Sequence, residues 1–294
     1  MRFVVAREEK HSALYVVAGS QAYRLTGCSG FAGTDLAAAI SYDQKRLASV
    51  VADALAGSPV PLASLVPALP FTTFGKILCL GLNYVDHVKE GGYDIPTYPA
   101  MFIRLPGSMI AADAPMVKPD CSDRLDYEVE LMIVIGRGGR HIPEAAALDH
   151  VFGYTVFNDG SVRDYQKKTH QWTPGKNFDH TGAMGPIIVT ADELPEGASG
   201  LRIQSRLNGK IMQDSNTSDM MWSVAKTIAT VSEFTKLEPG DLIAMGTPPG
   251  VGHARTPPVF MFPGDVVEVE IEKICVCRSP IVSEKDAAAL EAAE

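Results

Sequence analysis

The sequence predicts a β-rich α+β protein, and three observations carry that prediction. Strand patterns outnumber helix patterns after residue 76, and they do not alternate with helices as βαβ units do. Two Pro-Gly-Asp turns, beginning at Pro239 and Pro263, each precede an apolar strand. The 294 residues are 46% hydrophobic, enough for a sizeable core. We expect a small amino-terminal α+β domain at residues 1–72 and a larger β-rich domain at 73–294.

The amino-terminal region predicts three successive features. Residues 1–30 alternate weakly and contain turn formers, which favours a small antiparallel sheet. Residues 35–56 have apolar positions at helical spacing and predict one helix. Residues 58–70 contain repeated prolines and are typical of a connector.

The larger domain is predicted mainly from strand patterns. They occur at residues 77–80, 128–135, 152–157, 201–207, 242–245 and 266–274. One helix interrupts them, with Thr217 or Ser218 as its cap and an apolar stripe. The stripe consists of Met221, Val224, Ala225, Ile228 and Val231.

Charge and composition exclude several classes of protein. The net charge of −9 and the absence of a lysine and arginine run argue against nucleic acid as a partner. No apolar stretch approaches a membrane span, and the charged start lacks a signal-peptide block. Five cysteines without a C-x-x-C pair are typical of reduced thiols. We therefore expect a cytoplasmic protein without membrane partners.

Glu128 and Glu130 are the most informative residues of the chain. Alternation along a strand puts them on one face, roughly 7 Å apart along the chain. Because that face continues as Met132 and Val134, it is expected to be covered. Buried carboxylates are costly unless something positive neutralises them, and a hard cation that takes oxygen ligands is the natural candidate.

A second glutamate pattern in the chain shows why the spacing of Glu128 and Glu130 alone does not establish a functional site. Glu268, Glu270 and Glu272 also alternate, but their face is acidic throughout. We interpret this segment as a half-solvated antiparallel strand without a site. An isolated E-x-E pair is more often structural than functional.

His87 and Glu90 form a possible acid–base pair. They are three residues apart, and therefore share a face of the short helix that Asn83 could cap and Gly91-Gly92 could end. A carboxylate beside an imidazole orients it and raises its basicity, as a general base requires. The alternative is an incidental pair on a surface helix.

Asp159 ends an apolar strand, where functional sites are often built. A helical turn capped by Ser161 would then place Arg163 and Gln166 on one face. Alternatively, Asp159 is only the turn residue before Gly160.

Two further segments contain groups suited to oxygen-rich ligands. Lys176 follows a Pro-Gly turn between aromatic residues and could neutralise an enolate or bind a carboxylate, although an exposed loop lysine is the alternative. Gly246 and Thr247 offer an amide and a hydroxyl to such oxygens, or simply form a tight connector; the segment lacks the lysine of a phosphate-binding loop. Histidine and cysteine ligand patterns are absent, so three carboxylates favour Mg²⁺ or Mn²⁺ over zinc or iron.

In this order, several segments resemble the fumarylacetoacetate hydrolase family over residues 76–282. They are GLNYVDHVKE, DYEVELMIVIG, GYTVFNDGSVRDYQ, TPGKNFD, RLNGKIMQDSNTSDMM, LEPGDLIAMGTPPGVG and PGDVVEVEIE. The resemblance implies a mixed β-sheet roll, usually in a homodimer, with a small amino-terminal domain of the kind many bacterial members carry. Met245 and Arg104 depart from common family residues, which leaves the choice of substrate open.

The resemblance also implies roles for ten residues. A divalent ion, commonly Mg²⁺ or Mn²⁺, would be held by Glu128, Glu130 and Asp159. The catalytic groups would be His87 and Glu90, on a lid that orders over substrate, and Lys176, which faces the substrate's oxygens. Pocket positions around the substrate would be Arg163, Gln166, Gly246 and Thr247.

The leading hypothesis is metal-dependent hydrolysis of a carbon–carbon bond in an acylpyruvate-like 2,4-dioxo acid, with water activated by His87 and Glu90. Decarboxylation of oxaloacetate is the nearest alternative, because enolate stabilisation suffices for it. Isomerisation or hydration of an unsaturated 2-oxo diacid and non-catalytic binding of a 2-oxo acid also stay open.

Overall fold

The protein is sheet-rich, as predicted, with 33% strand and 25% helix. The computed structural model describes residues 1–9, 11–92 and 94–291, and the side chains of all but the last two of these. The first ten strands are β1 Arg2–Arg7, β2 Ser12–Ala18, β3 Gln21–Arg24, β4 Val60–Pro61, β5 Ile77–Gly81, β6 Ala100–Ile103, β7 Met109–Ala111, β8 Met116–Lys118, β9 Leu125–Asp126 and β10 Val129–Ile135. The remaining strands are β11 Val151–Asp159, β12 Ser161–Val162, β13 Gly182–Met184, β14 Ile188–Thr190, β15 Arg202–Leu207, β16 Lys210–Asn216, β17 Leu242–Ala244, β18 Val266–Ile271 and β19 Cys275–Ser283.

The helices are short and few beside the strands. They are α1 Leu36–Ile40, α2 Gln44–Leu55, α3 Val85–Glu90, α4 Arg163–Gln166, α5 Thr173–Lys176, α6 Val224–Phe234 and α7 Glu284–Glu291. Over the described residues, none of these helices has the length and apolarity needed to cross a bilayer.

A large sheet carries two of the predicted site residues, Glu130 on β10 and Asp159 at the end of β11. Its strand order is β4-β3-β2-β1-β14-β11-β10-β17-β5-β6, with β13 and β7 attached beside β11. A second sheet has the order β16-β15-β18-β19-β8 and packs against the first. In the large sheet β10 and β11 are antiparallel, with Val129 opposite Asn158. The start of β10 therefore lies beside the end of β11.

The amino-terminal strands continue the large sheet. β1, β2 and β3 form the predicted antiparallel unit, and β1 then pairs with β14 through Arg2 and Val189. Phe3 and Val5 pack in the same apolar cluster as Met132. The boundary at residue 72 stays a prediction, and the hydrogen-bonded sheet runs across it.

Two helix predictions are wrong in detail. The region 35–56 forms two helices because Asp43 starts a new one, its carboxylate accepting a hydrogen bond from Arg46 N at 2.8 Å. The later helix begins at residue 224, where Ser223 Oγ accepts from Lys226 N at 3.2 Å. Residues 217–219 form a separate 3₁₀ turn instead. In both cases the helix begins at a capping side chain that the sequence analysis did not choose, Asp43 or Ser223.

The strand with alternating Glu268 and Glu270 is half-solvated, as expected. Both carboxylates are partly exposed and pair with Arg206, at 3.0 Å and 2.6 Å. The opposite face, with Val267 and Val269, is buried.

Candidate active site

Three carboxylates meet where β10 begins and β11 ends. Glu128 and Glu130 come from the β10 segment, and Asp159 is the last residue of β11. One oxygen of each lies within 4.8 Å of the others. Their exposed fractions are 4%, 1% and 0%. The antiparallel register produces this proximity, since Asp159 N donates to Glu128 O at 2.9 Å.

Three buried cations surround this carboxylate cluster. Lys176 Nζ donates to Glu128 Oε2 at 2.5 Å and to Asp159 Oδ2 at 2.6 Å. Arg104 Nη1 lies 2.5 Å from Asp159 Oδ1, and Arg163 Nη1 lies 2.6 Å from Glu128 Oε1. Lys176 is only 2% exposed, which removes the alternative of a free loop lysine.

The cations neutralise the cluster unevenly. Burial raises the pKa of Glu128, but the charges of Arg163 and Lys176 outweigh burial and hold that pKa below its usual range. Burial raises the pKa of Glu130 well above its usual value, and the charges of Asp159 and Glu128 add to the effect. Glu130 Oε2 accepts a hydrogen bond from Gly246 N at 2.9 Å, but no cation pairs with it among the described residues.

The donor set fits a divalent cation that prefers oxygen ligands. Three carboxylates converge, one of them lacks a counter-charge, and no histidine or cysteine joins them among the described residues. Glu128, Glu130 and Asp159 would hold such an ion.

Arg163 is held by Asp126, a residue that the sequence analysis did not single out. Arg163 Nε donates to Asp126 Oδ2 at 2.8 Å, and Nη1 donates to Gln166 Oε1 at 2.9 Å. The shared face of Arg163 and Gln166 is therefore confirmed. The predicted cap is wrong, because Ser161 Oγ donates to Asp159 O and α4 has no side-chain cap.

Asp126 also ties down the loop after the Gly-Thr-Pro turn. Its carboxylate accepts from Gly252 N at 2.8 Å and from His253 N at 3.0 Å. The alternation that singled out Glu128 extends back to Asp126, which was the available signal for this residue.

His87 and Glu90 form the expected pair on α3. His87 Nδ1 lies 3.3 Å from Glu90 Oε2, and Gly250 N donates to both oxygens of Glu90 at 3.0 and 3.1 Å. His87 is buried, with 9% of its surface exposed, whereas Glu90 lies at the protein surface. Gly91 ends the helix as predicted, but Asn83 does not begin it.

Asn83 instead joins two loops behind the pocket. Its side-chain amide donates to Met245 O at 2.7 Å, and its carbonyl accepts from Trp222 N at 2.7 Å. Asn83 is fully buried, so its side chain is unavailable to the helix start.

Gly246 and Thr247 form hydrogen bonds within the protein. Gly246 N orients Glu130, and its φ of +84° is one that glycine adopts without strain. Thr247 Oγ1 donates to Val129 O at 2.9 Å and accepts from Gln213 Nε2 at 2.7 Å. Contact of either residue with a substrate stays a prediction.

One pocket gathers seven of the ten predicted site residues. These are His87, Glu128, Glu130, Arg163, Gln166, Lys176 and Thr247. The other three, Glu90, Asp159 and Gly246, each hydrogen-bond a lining residue.

The pocket walls include residues that sequence reasoning missed: Phe102, Lys167 and His253. They also include Trp172, one of the aromatic residues that flank the Pro-Gly-Lys segment. Lys176 Nζ lies 4.9 Å from the ring centroid of Phe102, an aromatic contact that the sequence did not predict. A Cβ on Gly81 would come within 2.1 Å of the Trp172 ring, so this glycine makes room for the indole.

A sheet-rich fold with a buried acidic pocket that also holds a lysine and a histidine defines an enzyme site for a small molecule. The family model for the fumarylacetoacetate hydrolase C-terminal domain matches residues 76–282. The chain belongs to the fumarylacetoacetate hydrolase family.

Similar proteins include mitochondrial oxaloacetate tautomerases. The chain is 43% identical to oxaloacetate tautomerase fahd2 of Xenopus laevis over 72% of this chain and 67% of the relative. It is 41% identical to oxaloacetate tautomerase FAHD2A of Homo sapiens over 80% of this chain and 76% of the relative. The solved fumarylacetoacetate hydrolase of Exiguobacterium antarcticum is 30% identical, with a TM-score of 0.82 over 97% of this chain and all of that one.

Proposed function

We propose that the protein catalyses proton transfer in a 2-oxo acid through its enol, with keto–enol tautomerisation of oxaloacetate as the reaction. The observation that carries this proposal is that Lys176, His87 and a carboxylate cluster suited to a divalent cation meet at one pocket. The two tautomerase relatives support oxaloacetate as the substrate.

The residues have complementary tasks in this reaction. A divalent ion bound by the three carboxylates would polarise the 2-oxo group and stabilise negative charge on its oxygen. His87, oriented by Glu90, accepts the proton from the carbon beside the 2-oxo group and delivers it to the 2-oxo oxygen; ketonisation runs the same two transfers in reverse. An ammonium has three N–H donors, and Lys176 uses two of them on Glu128 and Asp159. Its third donor is left for a substrate oxygen.

Hydrolysis of a carbon–carbon bond in a 2,4-dioxo acid is the second candidate. The His87–Glu90 pair favours it, because a histidine held by a carboxylate suits the activation of water. Decarboxylation of oxaloacetate would use the same enolate stabilisation without water.

The test uses chelator-stripped protein with added Mg²⁺ or Mn²⁺. Enolic oxaloacetate is followed by its absorbance, while released carbon dioxide and pyruvate are measured separately. Accelerated ketonisation without either product supports tautomerisation. Acylpyruvates are assayed in parallel, and release of pyruvate from them would establish a hydrolase instead. Release of carbon dioxide from oxaloacetate would establish a decarboxylase.

A His87→Asn variant tests the role of the histidine. We expect a loss of about 10²–10⁴-fold in turnover, the usual contribution of a positioned acid–base group. His11→Asn is the matched control, because His11 also pairs with a glutamate three residues away, Glu8, but is exposed. Equal activity of both variants would remove His87 from the mechanism.

Four further expectations remain proposals. The ion is Mg²⁺ or Mn²⁺, the active form is a homodimer, the location is cytoplasmic, and residues 1–72 form a separate domain. The relatives from Xenopus laevis and Homo sapiens are named as mitochondrial.

A further inference from the structure

Glu90 depends on one backbone group for its orientation. Over the described residues, its carboxylate has two partners. One is His87 Nδ1 at 3.3 Å, and the other is Gly250 N, which donates to both carboxylate oxygens at 3.0 and 3.1 Å. Glu90 lies at the protein surface, so packing alone does not hold its side chain. The Gly250 N–H is therefore the group that fixes this carboxylate beside His87.

Gly250 has a backbone conformation that other parts of the chain must hold. Its φ is +104°, in the region that favours glycine, and a Cβ there would meet Met212 O. Glycine has the least restricted backbone of any residue, so its place is fixed by the contacts around it. The carbonyl oxygen of Gly250 accepts hydrogen bonds from Tyr127 Oη and Arg255 Nε, each at 3.2 Å.

Arg255 makes the larger set of these contacts. Its Nε also donates to Tyr127 Oη at 3.2 Å, and its Nη2 donates to Met212 O on β16. Arg255 is half-buried, and it forms no ion pair with a carboxylate within the described parts of the chain. Its hydrogen bonds instead join three oxygen atoms, the carbonyl oxygens of Gly250 and Met212 and the phenol oxygen of Tyr127.

We propose that Arg255 is a positioning residue for the acid–base pair. It holds Gly250 in the place from which the Gly250 N–H fixes Glu90 and, through Glu90, the imidazole of His87. The inference rests on the proposed function, in which His87 transfers the proton. Arg255 does not line the pocket, so it acts without touching the substrate. Its removal should slow proton transfer and leave substrate binding nearly unchanged.

A double-mutant cycle on kcat tests this role in the Mg²⁺-loaded enzyme with oxaloacetate. Arg255→Met removes the hydrogen bonds and keeps an apolar stem of similar shape. We expect kcat to fall by about 10- to 100-fold, the effect of a misplaced reacting group, and KM to stay within about twofold. In a Glu90→Ala background, Arg255→Met should cause no further loss of kcat, because the carboxylate that it positions is gone.

Arg140→Met is the matched control. Arg140 also donates to two backbone carbonyls, Ser232 O at 3.1 Å and Glu233 O at 3.0 Å, but it has no contact with the pocket lining. We expect its kcat to match that of the wild type. The proposal is overturned if Arg255→Met leaves kcat unchanged, lowers it equally in both backgrounds, or lowers it no more than Arg140→Met does.

Hydrogen exchange of the Gly250 amide, measured by NMR, separates this proposal from the proposed function. We expect the Gly250 N–H to exchange at least about tenfold faster in Arg255→Met than in the wild type and in Arg140→Met. That result, in a wild type that does not turn over oxaloacetate, would overturn the proposed function and leave the positioning role standing. Turnover of oxaloacetate with an unchanged exchange rate in Arg255→Met would overturn the positioning role and leave the proposed function standing.

Discussion

Replacing Asp126 by asparagine removes one charge from a fully buried ion pair and keeps the side-chain size. In the wild type, Asp126 accepts hydrogen bonds from Arg163 Nε and from the backbone N–H groups of Tyr127, Gly252 and His253. Asparagine has only one acceptor oxygen, and its NH₂ group would face donors. The guanidinium of Arg163 stays buried and keeps only Glu128 as its ionic partner.

The size of the effect follows from this burial. Breaking a buried ion pair by removing one partner costs about 3–5 kcal/mol, because the remaining charge stays buried. Asp126 and Arg163 are 0% and 4% exposed, so solvent screens little of their interaction. The free energy of unfolding of Asp126→Asn should therefore fall by about 3–5 kcal/mol.

Urea unfolding of the metal-free protein at neutral pH measures this loss. Asp214→Asn is the control, since Asp214 also pairs with an arginine, Arg202, but both are exposed. We expect its loss to be close to the error of the measurement. Similar losses in the two variants would refute the argument from burial.

The pH dependence gives an independent check on Asp126. Burial raises the pKa of Asp126, but the Arg163 charge and hydrogen bonds from His253 outweigh burial and lower the pKa below its usual 3.8. A lowered folded-state pKa contributes stability above the unfolded value and loses it as pH falls through the folded value. The difference in the free energy of unfolding between the wild type and Asp126→Asn should therefore have its full size above pH 3.8 and shrink below it.

Three shorter predictions test the surroundings of the site. Glu130→Gln should weaken Mn²⁺ binding in equilibrium dialysis. It should leave the metal-free protein at least as stable at neutral pH, because it removes a carboxylate whose raised pKa makes ionisation costly. A lower free energy of unfolding would contradict this. Gly81→Ala should displace the Trp172 ring and change tryptophan fluorescence, and an unchanged spectrum would contradict the close approach. Gln213→Leu should lower the free energy of unfolding by about 1–3 kcal/mol for each buried group left unsatisfied, and a smaller loss by urea unfolding would count against it.

Six strands of the larger domain and the carboxylate cluster could be predicted because their signals are local. A period of two fixes which side chains share a face, and Met132 and Val134 are fully buried behind Glu130, as expected. The helix boundaries could not be predicted equally well. Several capping residues lay close together, and only tertiary packing selects between Thr217 and Ser223.

The partners of the cluster were harder to predict, because they come from distant parts of the chain. Arg104 reaches Asp159 from 55 residues away, and Gln213 reaches Val129 from 84 residues away. His253 carried no local pattern at all. Only the folded sheet brings these residues to the start of β10.

The charges around the site connect the metal and the substrate. The buried carboxylates are Asp126, Glu128, Glu130 and Asp159, and the buried cations are Arg104, Arg163 and Lys176. Four negative and three positive charges leave one negative charge, so a divalent ion would turn the balance to one positive charge. One substrate carboxylate would neutralise that charge. Charge balance therefore favours a metal ion bound together with an anionic substrate over the ion alone, for the same reason that the cluster favours a metal ion.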